Sequence, residues 1–215
     1  MCGRFACSKI PKVLAELLDA PPPPDFVPRL NIAPSLPVCA LIRDEPSGRA
    51  VFDWLRWGLV PGWARDPQIG ARMFNARAET AAEKPAFRAA FRRRRCLIPA
   101  DGFYEWHKDG RLRTPYYIDL PDVPMVLAGL WETWSDPQGG VLRSCAILTV
   151  DANEAIRPLH DRMPVILPPA AWAAWMNPQA RDPAQYLRPY PSAGMRVEQA
   201  APPENSQFKL VGGNA

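Results

Sequence analysis

A chain of 215 residues with a net charge of +4 is long enough to bury a sizeable core and too mildly basic to demand a polyanionic partner. Apolar residues make up 47% and charged residues 22%, which argues against a disordered chain, and no stretch approaches the roughly 18 apolar residues of a membrane span. The 27 prolines point to a loop-rich fold of short strands, because proline gives up a ladder donor and is tolerated mainly at edges and turns.

In chain order, Lys12 to Ala20 reads as a short helix, with Val13, Leu14, Leu17 and Leu18 at helical spacing and Pro21 to Pro24 stopping it. Pro37 to Ile42 and Ala50 to Trp57 read as strands joined by a turn, followed by a loop from Leu59 to Gly70. Pro85 to Arg94 is a second predicted helix, with arginines at its C-terminal end where the dipole favours them. Five strand-like runs follow: Cys96 to Pro99, Gly102 to Trp106, Pro115 to Leu120, Met125 to Trp131 and Ser144 to Val150. A helical turn is expected over Asn153 to Leu159, a strand over Pro164 to Leu167 and a helix over Pro169 to Met176. A further helix is expected over Arg181 to Leu187, and a late strand over Met195 to Ala200. Many short strands and few helices indicate one α+β domain over residues 1–215, built around a curved, barrel-like, mostly antiparallel sheet.

Cys2, Cys7, Cys39, Cys96 and Cys145 are odd in number and form no C-x-x-C pair, so neither a disulfide framework nor a zinc site is indicated. His107 and His160 are too few for a histidine metal centre; no metal and no cofactor is expected. The opening residues lack the basic and apolar regions of a signal peptide, and the chain reads as a cytoplasmic monomer with reduced thiols. The basic run from Arg72 to Arg95, ending in Arg92 to Arg95, reads first as a solvated helix face.

Chemistry gathers at five polar residues. Cys2 stands behind a removable Met1, and its removal gives a 1,2-aminothiol whose α-amine, with a pKa of about 7.7–8.0, is partly free base near neutrality. Such a group condenses with an aldehyde to an imine, and the thiol closes on the same carbon. Glu105, set among Phe103, Tyr104 and Trp106, is a carboxylate in a desolvating setting that suits proton transfer. Asn75 and Arg77 sit in a compact polar segment, and His160 lies before a short strand; capping and core packing explain these three equally well.

Six segments carry a resemblance. They are Met1-Cys2-Gly3-Arg4-Phe5, Asn31-Ile32-Ala33-Pro34, Trp57-Gly58-Leu59-Val60-Pro61-Gly62-Trp63, Asn75-Ala76-Arg77-Ala78-Glu79-Thr80, Cys96 through Trp106, and His160-Asp161-Arg162-Met163-Pro164. In this order they resemble the SRAP (SOS response-associated peptidase) family of proteins that crosslink to abasic DNA. The resemblance runs through about Leu167, and the residues after Met176 depart from the pattern. It implies a single α+β domain with a basic groove, single-stranded DNA containing abasic sites as partner, and a thiazolidine crosslink through Cys2, with lyase chemistry as a side path. By the same resemblance, Asn75 holds the N-terminus and the adduct, while Glu105 and His160 move protons. Arg4, Arg77 and Arg162 are implied to contact phosphates, and Trp63 to stack on the DNA. A retained Met1 is expected to fill the place of the sugar, near Asn75, Glu105 and His160. Other readings are a thiol peptidase or autoprocessing hydrolase, a noncovalent reader of single-stranded DNA, and a domain in which Cys2 is merely buried.

Overall fold

The computed structural model describes residues 2–201, so the expected placement of Met1 lies outside the described residues. The chain opens with β1 (Phe5–Cys7), α1 (Lys12–Leu17), β2 (Arg29–Ile32), β3 (Pro37–Arg43) and β4 (Ala50–Trp57). It continues through β5 (Asn75–Arg77), α2 (Ala78–Ala81), α3 (Arg88–Arg93), β6 (Arg95–Ala100), β7 (Gly102–Asp109) and β8 (Leu112–Asp119). Then come β9 (Met125–Ser135), β10 (Val141–Asp151), β11 (Arg162–Pro164), α4 (Pro169–Met176) and β12 (Arg196–Gln199).

Five strands close on themselves in the order β10-β4-β3-β6-β9, with β9 returning to β10. This ring is antiparallel except where β4 runs parallel to β10, at Arg56 and Trp57 beside Ser144 and Cys145. Closure removes the free edges that an open sheet exposes. Leu41, Leu97, Leu130 and Ile147, one from each of four ring strands, are wholly buried. Beyond the ring, the C-terminal half of β10 carries β5 on one side and β11 on the other. A second, antiparallel sheet runs β12-β8-β7-β1-β2. The α+β class and the curved, barrel-like sheet are as the sequence predicts.

Several elements differ from their predicted lengths. The first helix ends at Leu17 rather than Ala20, because Asp19 adopts a left-handed φ of 48° before the proline run. The helix expected over Arg181 to Leu187 is only a 3-10 turn, Pro183–Tyr186, opened by Asp182, whose carboxylate accepts the Ala184 amide. The hairpin β7–β8 is longer than predicted: its register runs from Gly102 opposite Asp119 to Asp109 opposite Leu112, closing at Gly110 with φ of 55°. Strands β1, β2 and β5, with helix α2, were not predicted.

Candidate active site

Three strands deliver the site. Strand β1 pairs with β7, Phe5 lying opposite Phe103, and the Tyr104 amide donates to the Arg4 carbonyl at 2.9 Å. That register carries Glu105 alongside the residues just before β1. Along β7, Phe103 and Glu105 point to the buried face while Tyr104 and Trp106 stay half-exposed. Glu105 therefore occupies a core-facing position, is only 5% exposed, and has its carboxyl pushed up to about 7 by burial.

Strand β5 places Asn75. It is clipped to β10, with Asn75 opposite Ile147 and Arg77 opposite Thr149. The Asn75 side-chain amide donates to the Cys2 carbonyl at 2.8 Å, while its buried Oδ1 has no hydrogen-bond partner among the described residues. Trp57, wholly buried, locks these pieces together. Its ring meets Phe5 edge-on at 5.1 Å and Phe74 at 6.0 Å, and its indole N–H donates to the Phe74 carbonyl at 2.8 Å. Sequence reasoning assigned Trp57 no role, yet it joins the strand after Cys2 to the residue before Asn75.

Cys2 itself is fully buried, and burial, together with the nearby Glu105 charge, pushes its thiol well above the ordinary cysteine range. All five cysteines are free and buried.

His160 arrives by a different route. Asn153 turns back on its own backbone, its Oδ1 accepting the Ala155 and Ile156 amides, and the resulting helical turn ends with the His160 amide donating to the Ile156 carbonyl. The His160 Nδ1 accepts the Arg162 amide at 2.9 Å, and the Asp161 carboxylate lies 2.7 Å from the same nitrogen. Both contacts cannot be hydrogen bonds at once. Burial lowers the His160 pKa and favours the neutral ring, in which Nδ1 either accepts the Arg162 amide or donates to Asp161. The Lys108 charge acts on both Glu105 and His160.

The four residues expected to touch DNA fare unequally. Arg4 lies two residues beyond Cys2, with its guanidinium donating to the Gly3 carbonyl at 3.1 Å. Arg77 is exposed, two residues beyond Asn75 on the same strand. Trp63 is 61% exposed, its indole N–H reaching the Pro85 carbonyl at 3.4 Å, and it makes no direct contact with the four site residues. Its loop begins at Gly58, where φ is 140° and a Cβ would stand 2.5 Å from the Gly70 carbonyl oxygen. Arg162 differs from the expectation. It is 8% exposed, and its Nη1 and Nη2 donate to both Glu79 oxygens, to Asp151 and to the Thr149 carbonyl at 2.6–2.9 Å. Those contacts turn its terminal donors inward, so it braces α2 and β11 against β10 instead of facing solvent. Among the described residues no three metal-ligating side chains converge, and no helix is long and apolar enough to cross a membrane.

Comparison with known proteins places this geometry in a family. The abasic site processing protein YoqW of Bacillus subtilis is 40% identical over 98% of this chain and 99% of its own length. The abasic site processing protein YedK of Escherichia coli is 33% identical over 82% of this chain and 80% of its own. A crystal structure of a Bacteroides thetaiotaomicron protein superimposes with a TM-score of 0.84 at 25% identity, covering 93% of this chain and 92% of that one. The family model described as SOS response associated peptidase (SRAP) matches residues 1–203, well past the point where the sequence motifs end. The chain therefore belongs to the SRAP family.

Proposed function

We propose that this protein processes abasic sites in single-stranded DNA by bonding covalently to them through Cys2, once Met1 has been removed. One observation carries the reading: Asn75 grips the Cys2 carbonyl with one end of its amide and leaves the other end open, beside a carboxyl held near neutrality. The names of the relatives YoqW and YedK support abasic DNA as the substrate.

The steps follow from the residues. An abasic deoxyribose exchanges its hemiacetal for an open aldehyde, and Glu105, with a pKa near 7, gives and takes the protons this needs. The Cys2 amine attacks the aldehyde carbon, a C–N bond forms, water leaves, and an imine results. The thiol then adds to the same carbon: a C–S bond forms and the thiol proton passes by way of Glu105 to the nitrogen. Because burial keeps the Cys2 thiol protonated, that step requires a base, and Glu105 is adjacent. Tethering of thiol to amine favours ring closure through effective molarity. The five-membered ring consumes the imine, which otherwise drains into β-elimination and strand cleavage. His160, held neutral by burial, serves the sugar oxygen as a second acid or base. Arg4 and Arg77 contact phosphates and Trp63 stacks on a base, whereas Arg162 acts as a brace. A peptidase reading is less well supported, since a thiol peptidase needs an activated thiolate and burial here works against one.

The test is incubation with a single-stranded abasic oligonucleotide followed by a denaturing gel. A heat-stable shifted band is expected from protein with Cys2 exposed. None is expected from Cys2→Ser, or from protein whose intact mass includes Met1, because an amide nitrogen forms no imine. Equal crosslinking by the Met1-retaining protein would overturn the reading.

A further inference from the structure

The end of the basic run, Arg92 to Arg95, plays no part in the function proposed above. Its last residues border an open cleft of about 660 Å³. The cleft lies between the C-terminal end of α3, the end of β3 and the segment around Pro178 and Gln179. Arg92 and Arg93 on α3 and Arg43 at the end of β3 line it, and all three are exposed. Arg92 and Arg93 have no ion pair among the described residues, and Arg43 donates only to the Gly48 carbonyl at 2.6 Å. Beneath them Arg95 is buried, its donors spent on the carbonyls of Phe91, Arg92, Trp175 and Asn177. Those carbonyls are dipoles, so its full charge is offset by no carboxylate. Of the two carboxylates that line the cleft, Glu45 pairs with Arg94 at 2.7 Å, while Asp44 accepts from Ser47 and keeps its charge, so the guanidiniums outnumber the free carboxylate.

Helix-dipole compensation explains Arg92 and Arg93 alone, but it does not explain a converging Arg43 from another strand or an uncompensated cation in the floor. From this convergence we infer that the cleft is a second phosphate-binding surface, which holds the backbone of the DNA strand beyond the abasic site. Planar guanidiniums on separate elements suit successive phosphates of one strand. The surface shares no residue with the Cys2 site, so it contributes affinity and not chemistry.

The experiment compares wild type with R43E/R92E/R93E, whose changes are all exposed, and with the milder R92Q/R93Q should the triple variant melt early. Binding of undamaged single-stranded DNA of about 5 and about 30 nucleotides is read by fluorescence anisotropy across a salt series. For the longer strand the triple variant should bind at least tenfold more weakly, and its salt slope should fall by about 0.7 for each phosphate it no longer neutralises. The neutral pair should show a smaller change in the same direction. The short strand should bind as before. Unchanged long-strand affinity and slope in both variants would overturn the inference, as would an equal weakening for both strand lengths. Anisotropy on undamaged DNA reads this surface even if Cys2 forms no crosslink, so the two readings fail separately.

Discussion

At Arg95 a buried guanidinium spends its donors on backbone carbonyls of four residues, whereas at Asn75 a buried amide spends one end on Cys2 and leaves Oδ1 without a partner among the described residues. Arg162 resembles Arg95 in that its four terminal N–H groups are turned onto Glu79, Asp151 and the Thr149 carbonyl, although its buried Nε has no hydrogen-bond partner among the described residues. Glu105 sits with Asn75, a carboxyl in a core-facing slot that burial holds near neutrality. A satisfied buried group resists change and stiffens the fold. One that burial penalises carries a free-energy cost that a ligand or a proton can relieve, and two such groups, the Asn75 Oδ1 and the Glu105 carboxyl, belong to residues that act on Cys2.

The sharpest way to break this contrast is Glu105→Gln. The amide keeps the shape of the side chain but cannot cycle a proton, so capture of abasic DNA should slow by ~10²-fold, the usual scale for loss of a general acid or base. Binding of undamaged DNA should be nearly unchanged. Single-turnover crosslinking against time supplies the measurement, and a wild-type rate would remove Glu105 from the chemistry.

Arg162→Ala addresses the other side of the contrast. Losing one partner of a fully buried ion pair costs about 3–5 kcal/mol. Glu79 and Asp151 are half-exposed or more and can rehydrate, so about 1–3 kcal/mol is expected in urea unfolding. Capture should slow less than in Glu105→Gln, because the Arg162 backbone amide still donates to His160. A variant as stable as wild type but as slow as Glu105→Gln would place Arg162 in the reaction and collapse the distinction.

These two residues also mark how far the sequence could be read. The burial of Glu105 was legible because a carboxylate set among Phe103, Tyr104 and Trp106 is desolvated, although an edge carboxylate paired with an arginine was an equal reading of the sequence. Cys2 was legible by position alone, since only a second residue can acquire a free amine. The inward contacts of Arg162 were not legible, because its partner Glu79 lies 83 residues away and no local pattern announces that the two meet. The three-residue strands β1 and β5 are too short for any period to appear. They exist because β7 and β10 supply their hydrogen bonds, as do the long-range contacts of Trp57. Family motifs recovered the segments, but not which side chains face the solvent.

The most direct test of a group that burial penalises concerns Glu105 in the absence of DNA. In the unfolded chain a glutamate titrates at about 4.3. In the fold this carboxyl titrates at about 7 because burial disfavours its charge. Below pH ~4 both states hold the proton and Glu105 contributes no penalty. Between ~4 and ~7 the unfolded chain releases the proton while the folded protein keeps it, so stability falls as pH rises. Above ~7 both are ionised and the loss is complete. Glutamine does not titrate. Relative to wild type, Glu105→Gln should therefore gain up to about 3 kcal/mol between pH ~4.5 and pH ~8, with the difference level beyond that. His160 titrates in both proteins, so to first order its contribution cancels. Urea unfolding of the two proteins at matched pH values gives the difference directly. A gap that stays constant from acid to neutral pH would mean that Glu105 ionises like an ordinary surface carboxylate. The polar groups around Cys2 would then be as settled as those around Arg95.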